Sequence, residues 1–253
     1  MPQLQNNKVP KKFWEMKMSA NNESSADIFI YGDIVSYQWD ETDTSASSFK
    51  IDLDNLGDVS NINLYVNSPG GSVFEGVAIH NMLKRHQAKV NVHVDGLAAS
   101  IASVIAMAGD TIYMPKNSML MIHNAWTFTW GNSAELRKAA DDLERINQSA
   151  IQSYLQKAGS KLTEDKVKEL MDAETWLSAD EALSYGLCDV VLEAKQMAAS
   201  ISEDFISKYK NIPKQLISQQ KTAISASEMA KRQQIAEISK ANLDYLSTIL
   251  GGI

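Results

Sequence analysis

Residues 61–103 read NINLYVNSPGGSVFEGVAIHNMLKRHQAKVNVHVDGLAASIAS, and the fold is decided within them. NINLYVNSPGG (61–71) has the composition of a buried strand running into a Gly-rich turn. SVFEGVAIHNMLKRH (72–86) changes to helical spacing, with Val73, Val77, Ile79, Met82 and Leu83 gathered on one side. KVNVHVDG (89–96) alternates as a second strand, and a helix of small residues follows it. Strand, crossover helix and strand in that order imply a parallel pair with a right-handed connection.

The same alternation extends outward. DIFIYGDIV (27–35) reads as a strand, SSFKIDLDNLGDV (47–59) as a short amphipathic helix, and TIYMP (111–115) and SMLMIHNAW (118–126) as two further strands. From Asn132 to Ala158 the pattern is a long amphipathic helix. Asn132 can cap it with Glu135 three residues on, Leu136, Leu143, Ile146, Ile151 and Leu155 supply a broken apolar stripe, and Gly159 ends it. TEDKVKELMD and SADEALSYG are two short helices opened by Thr163 and Ser178, and LCDVVLEA closes the regular part. Residues 27–195 therefore predict an α/β fold with a mostly parallel sheet. Residues 1–26 read as a polar, loosely held arm, and 196–253 as a polar helical or partly disordered extension outside that fold.

With 253 residues and 44% hydrophobic content, the chain suffices for one large domain with a tail, or for two small ones. A net charge of −7 without a basic run offers no footprint for nucleic acid. The single cysteine, Cys188, excludes an intrachain disulfide and fits a reducing compartment. The longest apolar run, Gly96 to Gly109, is too short to cross a bilayer, and the N-terminus lacks the apolar core of a signal peptide. These features predict a cytoplasmic protein that does not enter a membrane.

Four features point to chemistry. The paired glycines of NSPGG (67–71) leave backbone N–H groups open to an oxyanion, or they make a simple turn. No Lys-Ser/Thr pair follows them, which disfavours a phosphate loop. Ser100 stands at a strand-to-helix junction, either as a helix cap or as a nucleophile with the amide of Ile101 beside it. Ser103, one turn on, reads as a packing residue. His123 lies among apolar neighbours at a strand end, as a core residue or a base, while His80, His86 and His93 sit in less suitable places. Asp172 and Glu174 flank a loop before the Ser178 cap. A nucleophile, a base, an acid and oxyanion donors are the requirements of acyl transfer. Their order in this chain differs from that of α/β-hydrolases, and no G-x-S-x-G elbow is present.

NSPGGSV, DGLAASIAS, MIHNAW and TWLSADEALSYGLCD together resemble the signature segments of the ClpP serine peptidases, in the same order, over residues 27 to 193. The resemblance implies a ClpP/crotonase-like fold with stacked, mostly parallel strands. It implies Ser100 as nucleophile, His123 as general base, and the amides of Gly71 and Ile101 as the oxyanion hole. The third member falls on Glu174, where the family usually has aspartate, with Asp172 as the alternative. No metal or organic cofactor is implied. The helix 132–158, with a strand WTFTWGN before it, is similar to the family's protruding handle, which implies a homo-oligomer of heptameric rings, single or stacked face to face. The N-terminal arm does not resemble the family's axial loops, which leaves an ATPase partner open.

The wording of NSPGGSVFEGVAIHNML and of the arm is most similar to ClpP-like proteases of phages and prophages, which implies head maturation in the host cytoplasm with capsid or scaffold protein as substrate. Four other readings compete. They are a housekeeping proteolytic subunit working with an ATPase, a crotonase-type acyl-CoA enzyme, an inactive structural ring protein, and a Ser-Lys peptidase using Lys84, Lys89 or Lys116.

Overall fold

β4 (Lys89–Ala99) is the axis of the molecule, because its two halves pair with different neighbours. In the computed structural model, Asn91–His93 pair in parallel with β5 (Thr111–Pro115), while Leu97–Ala99 pair in parallel with β6 (Met119–Ile122). The strand thus exchanges β5 for β6 as its neighbour towards its carboxyl end and delivers the residue after it, Ser100, beside β6. The structure describes residues 12–20, 22–36, 44–194, 209 and 211–213. All of these except Pro213 belong to one compact unit.

The remaining strands are β1 (Trp14–Ser19), β2 (Asn22–Tyr31), β3 (Asn61–Ser68), β7 (Thr175–Ser178) and β8 (Val190–Leu192). The main sheet runs β1-β2-β3-β4-β5-β8, and β6 joins β4 to β7. Only β1–β2 and β6–β7 are antiparallel, so the expected mostly parallel α/β architecture is what the described residues form. Alternation explains β3: Ile62, Leu64, Val66 and Ser68 are buried and their neighbours half-buried. The same holds for β4 until Leu97, after which Leu97, Ala98 and Ala99 are all buried because this half is covered on both faces.

The crossover helix α2 (Val73–Arg85) buries Gly76, Ile79, His80 and Leu83, one face at helical spacing. The six residues of α3 (Ile101–Ala106) are all buried. Gly76 lets α2 and α3 approach, since a Cβ there would lie 2.2 Å from Ile101 Cγ1. α1 (Ala46–Asp54), α5 (Glu164–Asp172) and α6 (Ala179–Ser184) open on Ser45, Thr163 and Ser178, whose side chains accept backbone N–H groups. The long helix α4 (Ser133–Ala158) carries the expected capping box of Asn132 and Glu135 and ends at Gly159. Its base is pinned by Lys157, whose Nζ reaches Asp189 at 2.7 Å and the Gly109 carbonyl at 3.0 Å.

Three expectations change. The sheet begins at Trp14, inside the segment read as a loose arm, because Trp14 and Phe13 bury against the core while the polar residues of β1 face outward. β6 stops at Ile122, so His123 and Asn124 lie beyond the ladder. WTFTWGN forms no strand, since no neighbouring segment of the described residues pairs with it; Trp126, Phe128 and Trp130 are 65%, 83% and 82% exposed. Residues 1–11 and most of 196–253 lie outside the described residues. No helix among the described residues is long and apolar enough to cross a membrane.

Candidate active site

The carboxyl ends of β2, β3, β4 and β6 converge, as ligand sites do in open α/β sheets. β4 ends at Ala99, and the chain turns abruptly through Ser100 at φ 55°, ψ −131° into α3. Among the described residues only Ser100 and Glu174, at φ 49°, combine a side chain with positive φ. Each such conformation costs roughly 1–3 kcal/mol and persists only where the surroundings enforce it. The enforcement at Ser100 is visible. Its N–H donates to the Met121 carbonyl at 2.9 Å, tying it to β6. Its carbonyl accepts the N–H of Ser103 at 2.9 Å and the Ser103 hydroxyl at 2.5 Å. Ser103 has then spent its only proton, so the fully buried Tyr154 of α4 donates to Ser103 Oγ across 2.7 Å.

The imidazole Nε2 of His123 lies 2.8 Å from Ser100 Oγ. The loop that holds His123 is anchored to α4, where Asn147 Oδ1 accepts the N–H of Ala125 at 2.7 Å. Burial pushes the His123 pKa below the usual histidine value, and the nearby negative charge of Glu174 partly offsets this. Glu174 follows α5, held by its N–H to the Met171 carbonyl at 3.1 Å and by Thr175 Oγ1 to the Leu170 carbonyl at 2.6 Å. Asp172 faces elsewhere: its Oδ1 accepts from Asn124 Nδ2 at 2.7 Å. Of the two candidate carboxylates, Glu174 is therefore the one whose charge acts on His123.

The paired glycines close the other side. A Cβ on Gly70 would lie 2.6 Å from Ser100 Cβ and 2.7 Å from the Ala99 carbonyl oxygen. One on Gly71 would lie 2.0 Å from the Ile34 carbonyl oxygen. Ile34 staples this turn, donating to the Gly70 carbonyl at 2.8 Å and accepting from the Ser72 N–H at 2.8 Å. Only at this closeness do Gly71 and the first amide of α3, Ile101, border the space at Ser100. Ile101, as the first helical residue, has no carbonyl of its own helix for its N–H.

The cleft is about 310 Å³, and Gly71, Ser100, His123 and Trp126 are among its walls. Behind Ser100 a small apolar space of about 20 Å³ opens between α3 and α4, lined in part by Val104, Ile146 and Tyr154. Lys84, Lys89 and Lys116 do not line the cleft, and Lys116 is paired with Glu193 at 2.8 Å. His80 is buried with Nδ1 against the Val104 carbonyl at 2.8 Å, and His93 is stacked between Tyr65 and Tyr113. Among the described residues no cluster of three or more His, Cys, Asp or Glu side chains could hold a metal ion. The sequence alone did not single out Tyr154, Asn147, Tyr209 or Asn211. Each comes from an element remote along the chain, so no motif spacing announces it.

The Clp protease family description matches residues 20–195. An ATP-dependent Clp protease proteolytic subunit of Pleurastrum terricola is 34% identical over 171 residues, which is 66% of this chain and 84% of that protein. The matched span takes in the turn at Gly71, the Ser100 junction, the His123 loop and the Glu174 turn, and the chain belongs to the Clp protease family.

Proposed function

We propose that this chain is a serine endopeptidase in which Ser100 is the nucleophile, His123 the general base and Glu174 the carboxylate that orients the imidazole. The observation that carries this reading is the 2.8 Å hydrogen bond between His123 Nε2 and Ser100 Oγ, made at a backbone position held under strain. Ser100 Oγ attacks the peptide carbonyl as Nε2 takes its proton. The amides of Gly71 and Ile101 receive the oxyanion, and Nε2 then returns the proton to the departing amine. Water, deprotonated by the same nitrogen, splits the acyl ester and frees Ser100. Labelling by a fluorophosphonate, with the adduct located by mass spectrometry, tests the assignment; an adduct on another residue, or none on a chain that digests casein, removes it.

The role of Glu174 predicts a shift in pH dependence. Only neutral His123 accepts a proton, so kcat/KM rises with pH through its pKa, below the usual 6.5 because burial dominates. A carboxylate stabilises the imidazolium and raises that pKa. Glu174→Gln is therefore expected to move the acid limb to still lower pH while lowering kcat. An acid limb that stays in place would assign the orienting role elsewhere.

The substrate we propose is capsid or scaffold protein processed during phage head assembly, with the extension beyond residue 195 as the feature that separates this chain from a minimal subunit. The exposed row of Trp126, Phe128 and Trp130 ahead of α4 is more apolar surface than a lone subunit ordinarily leaves in water, which supports a homo-oligomeric ring. The name of the Pleurastrum relative favours a second reading, a proteolytic subunit served by an ATPase. Incubation with neighbouring phage structural proteins, against casein with a Clp ATPase and ATP, separates the two by the fragments that mass spectrometry recovers.

A further inference from the structure

The described residues beyond 194 make contacts that hydrolysis does not use. The Tyr209 side chain lines the cleft beside Ser100, and its hydroxyl donates to the Pro69 carbonyl. Its ring meets the His123 imidazole edge-on, with centroids 5.5 Å apart, and the Trp176 ring at 5.8 Å. Two residues on, the Asn211 N–H donates to Glu174 Oε1 at 2.7 Å, and the Asn211 side-chain amide donates to the Ala173 carbonyl at 3.1 Å. One short segment thus contacts the proposed base and acid and shares the cleft with the proposed nucleophile.

Occupancy gives the consequence. Tyr209, Ser100 and His123 wall one cleft of about 310 Å³, so the phenol takes up space that a substrate at Ser100 would need. Burial raises the pKa of the Tyr209 phenol, so it keeps its proton and lies in the cleft as a neutral group.

We propose that the cleft is a receptor for a tyrosine side chain carried on a peptide, and that the chain's own segment around Tyr209 is its resident ligand, holding the site closed until it is displaced. Binding rests on the contacts themselves, and the regulatory consequence rests on the serine-peptidase reading.

Full-length wild type, Tyr209→Phe and Tyr209→Ala are compared by the rate at which a fluorophosphonate labels Ser100. Labelling of Tyr209→Ala is expected to be about tenfold faster, as follows when the competent state of the wild type is populated at roughly 10%. Tyr209→Phe keeps the ring contacts, loses the hydroxyl bond to the Pro69 carbonyl and falls between. A misfolded variant does not gain reactivity. The synthetic peptide ISKYKNIP, residues 206–213, added in excess should slow Tyr209→Ala again. Equal rates in all three proteins, with Ser100→Ala unlabelled, overturn the proposal. If no protein is labelled, the peptidase reading has failed, and anisotropy of the fluorescein-tagged peptide decides the receptor separately. Binding to Tyr209→Ala and not to wild type sustains it, and no binding to Tyr209→Ala removes it.

Discussion

Ser100→Ala is expected to lower hydrolysis of an unfolded protein by on the order of 10⁴-fold or more, and His123→Ala to do nearly as much. The double variant should be hardly worse than either. Hydroxyl and imidazole act as one unit across 2.8 Å, so removing the proton acceptor disables the nucleophile as thoroughly as removing the oxygen. Ser100→Ala retains the Cβ and the backbone bonds to Met121 and Ser103, so its melting temperature should stay close to that of the wild type. Steady-state kinetics on casein beside thermal melts of the four proteins check both halves. Two independent, multiplying losses would mean that the residues do not act together. A His123→Ala protein close to wild-type activity would point to a lysine base, a role for which Lys84, Lys89 and Lys116 stand in the wrong place.

Gly71→Ala should be strongly damaging for the addition of a single methyl group. At φ 145° an L-residue is strained, and the new Cβ would meet the Ile34 carbonyl oxygen at 2.0 Å. That oxygen is backbone and already accepts the Ser72 N–H at 2.8 Å, so neither partner yields without breaking the staple. Strain and overpacking together cost roughly 2–6 kcal/mol, on the order of 10 °C in melting temperature for a domain of this size. Displacing the Gly71 amide should also cost about 10²–10³-fold in the chemical step. Gly32→Ala is the control. It also has positive φ, but nothing lies within 4 Å of the added Cβ, so it should lose about 1 kcal/mol and no activity. Equal melting temperatures for the two variants would show that the close approach at Ile34 is not what fixes the turn.

The order β3-α2-β4-α3 was legible because β3 and the first half of β4 alternate, α2 buries one face at helical spacing, and α3 is a run of small and apolar residues. The caps at Asn132, Thr163 and Ser178 were legible for a local reason, since a cap and its partner lie within three residues. β1 was not, because an edge strand in which Trp14 alone is fully buried shows no alternation. Polar residues at the start of β2 likewise read as a loop. At the site, Ser100, His123 and the glycines could be named from their segments. The choice between Glu174 and Asp172 depended on which way a loop points, and in this fold Asp172 accepts a bond from Asn124. Tyr209 is 140 residues from Pro69, its hydrogen-bond partner, and no motif in the sequence around it marks it out.

The pairing of β5 with β8 governs the order in which a growing chain acquires its edges. Tyr113 pairs with Val190, and the Asp189 carboxylate that takes the Ile112 N–H at 2.7 Å lies 77 residues further on. Until those residues leave the ribosome, β5 presents an unpaired row of N–H and C=O groups, a template for mispairing. At about 5–20 residues per second that exposure lasts several seconds. α4, α5 and α6 are all made within that interval, so a truncation anywhere along them leaves the same open edge. Tolerance of this fold to shortening from the carboxyl end therefore stops at β8, and it stops through aggregation before it stops through loss of any catalytic side chain.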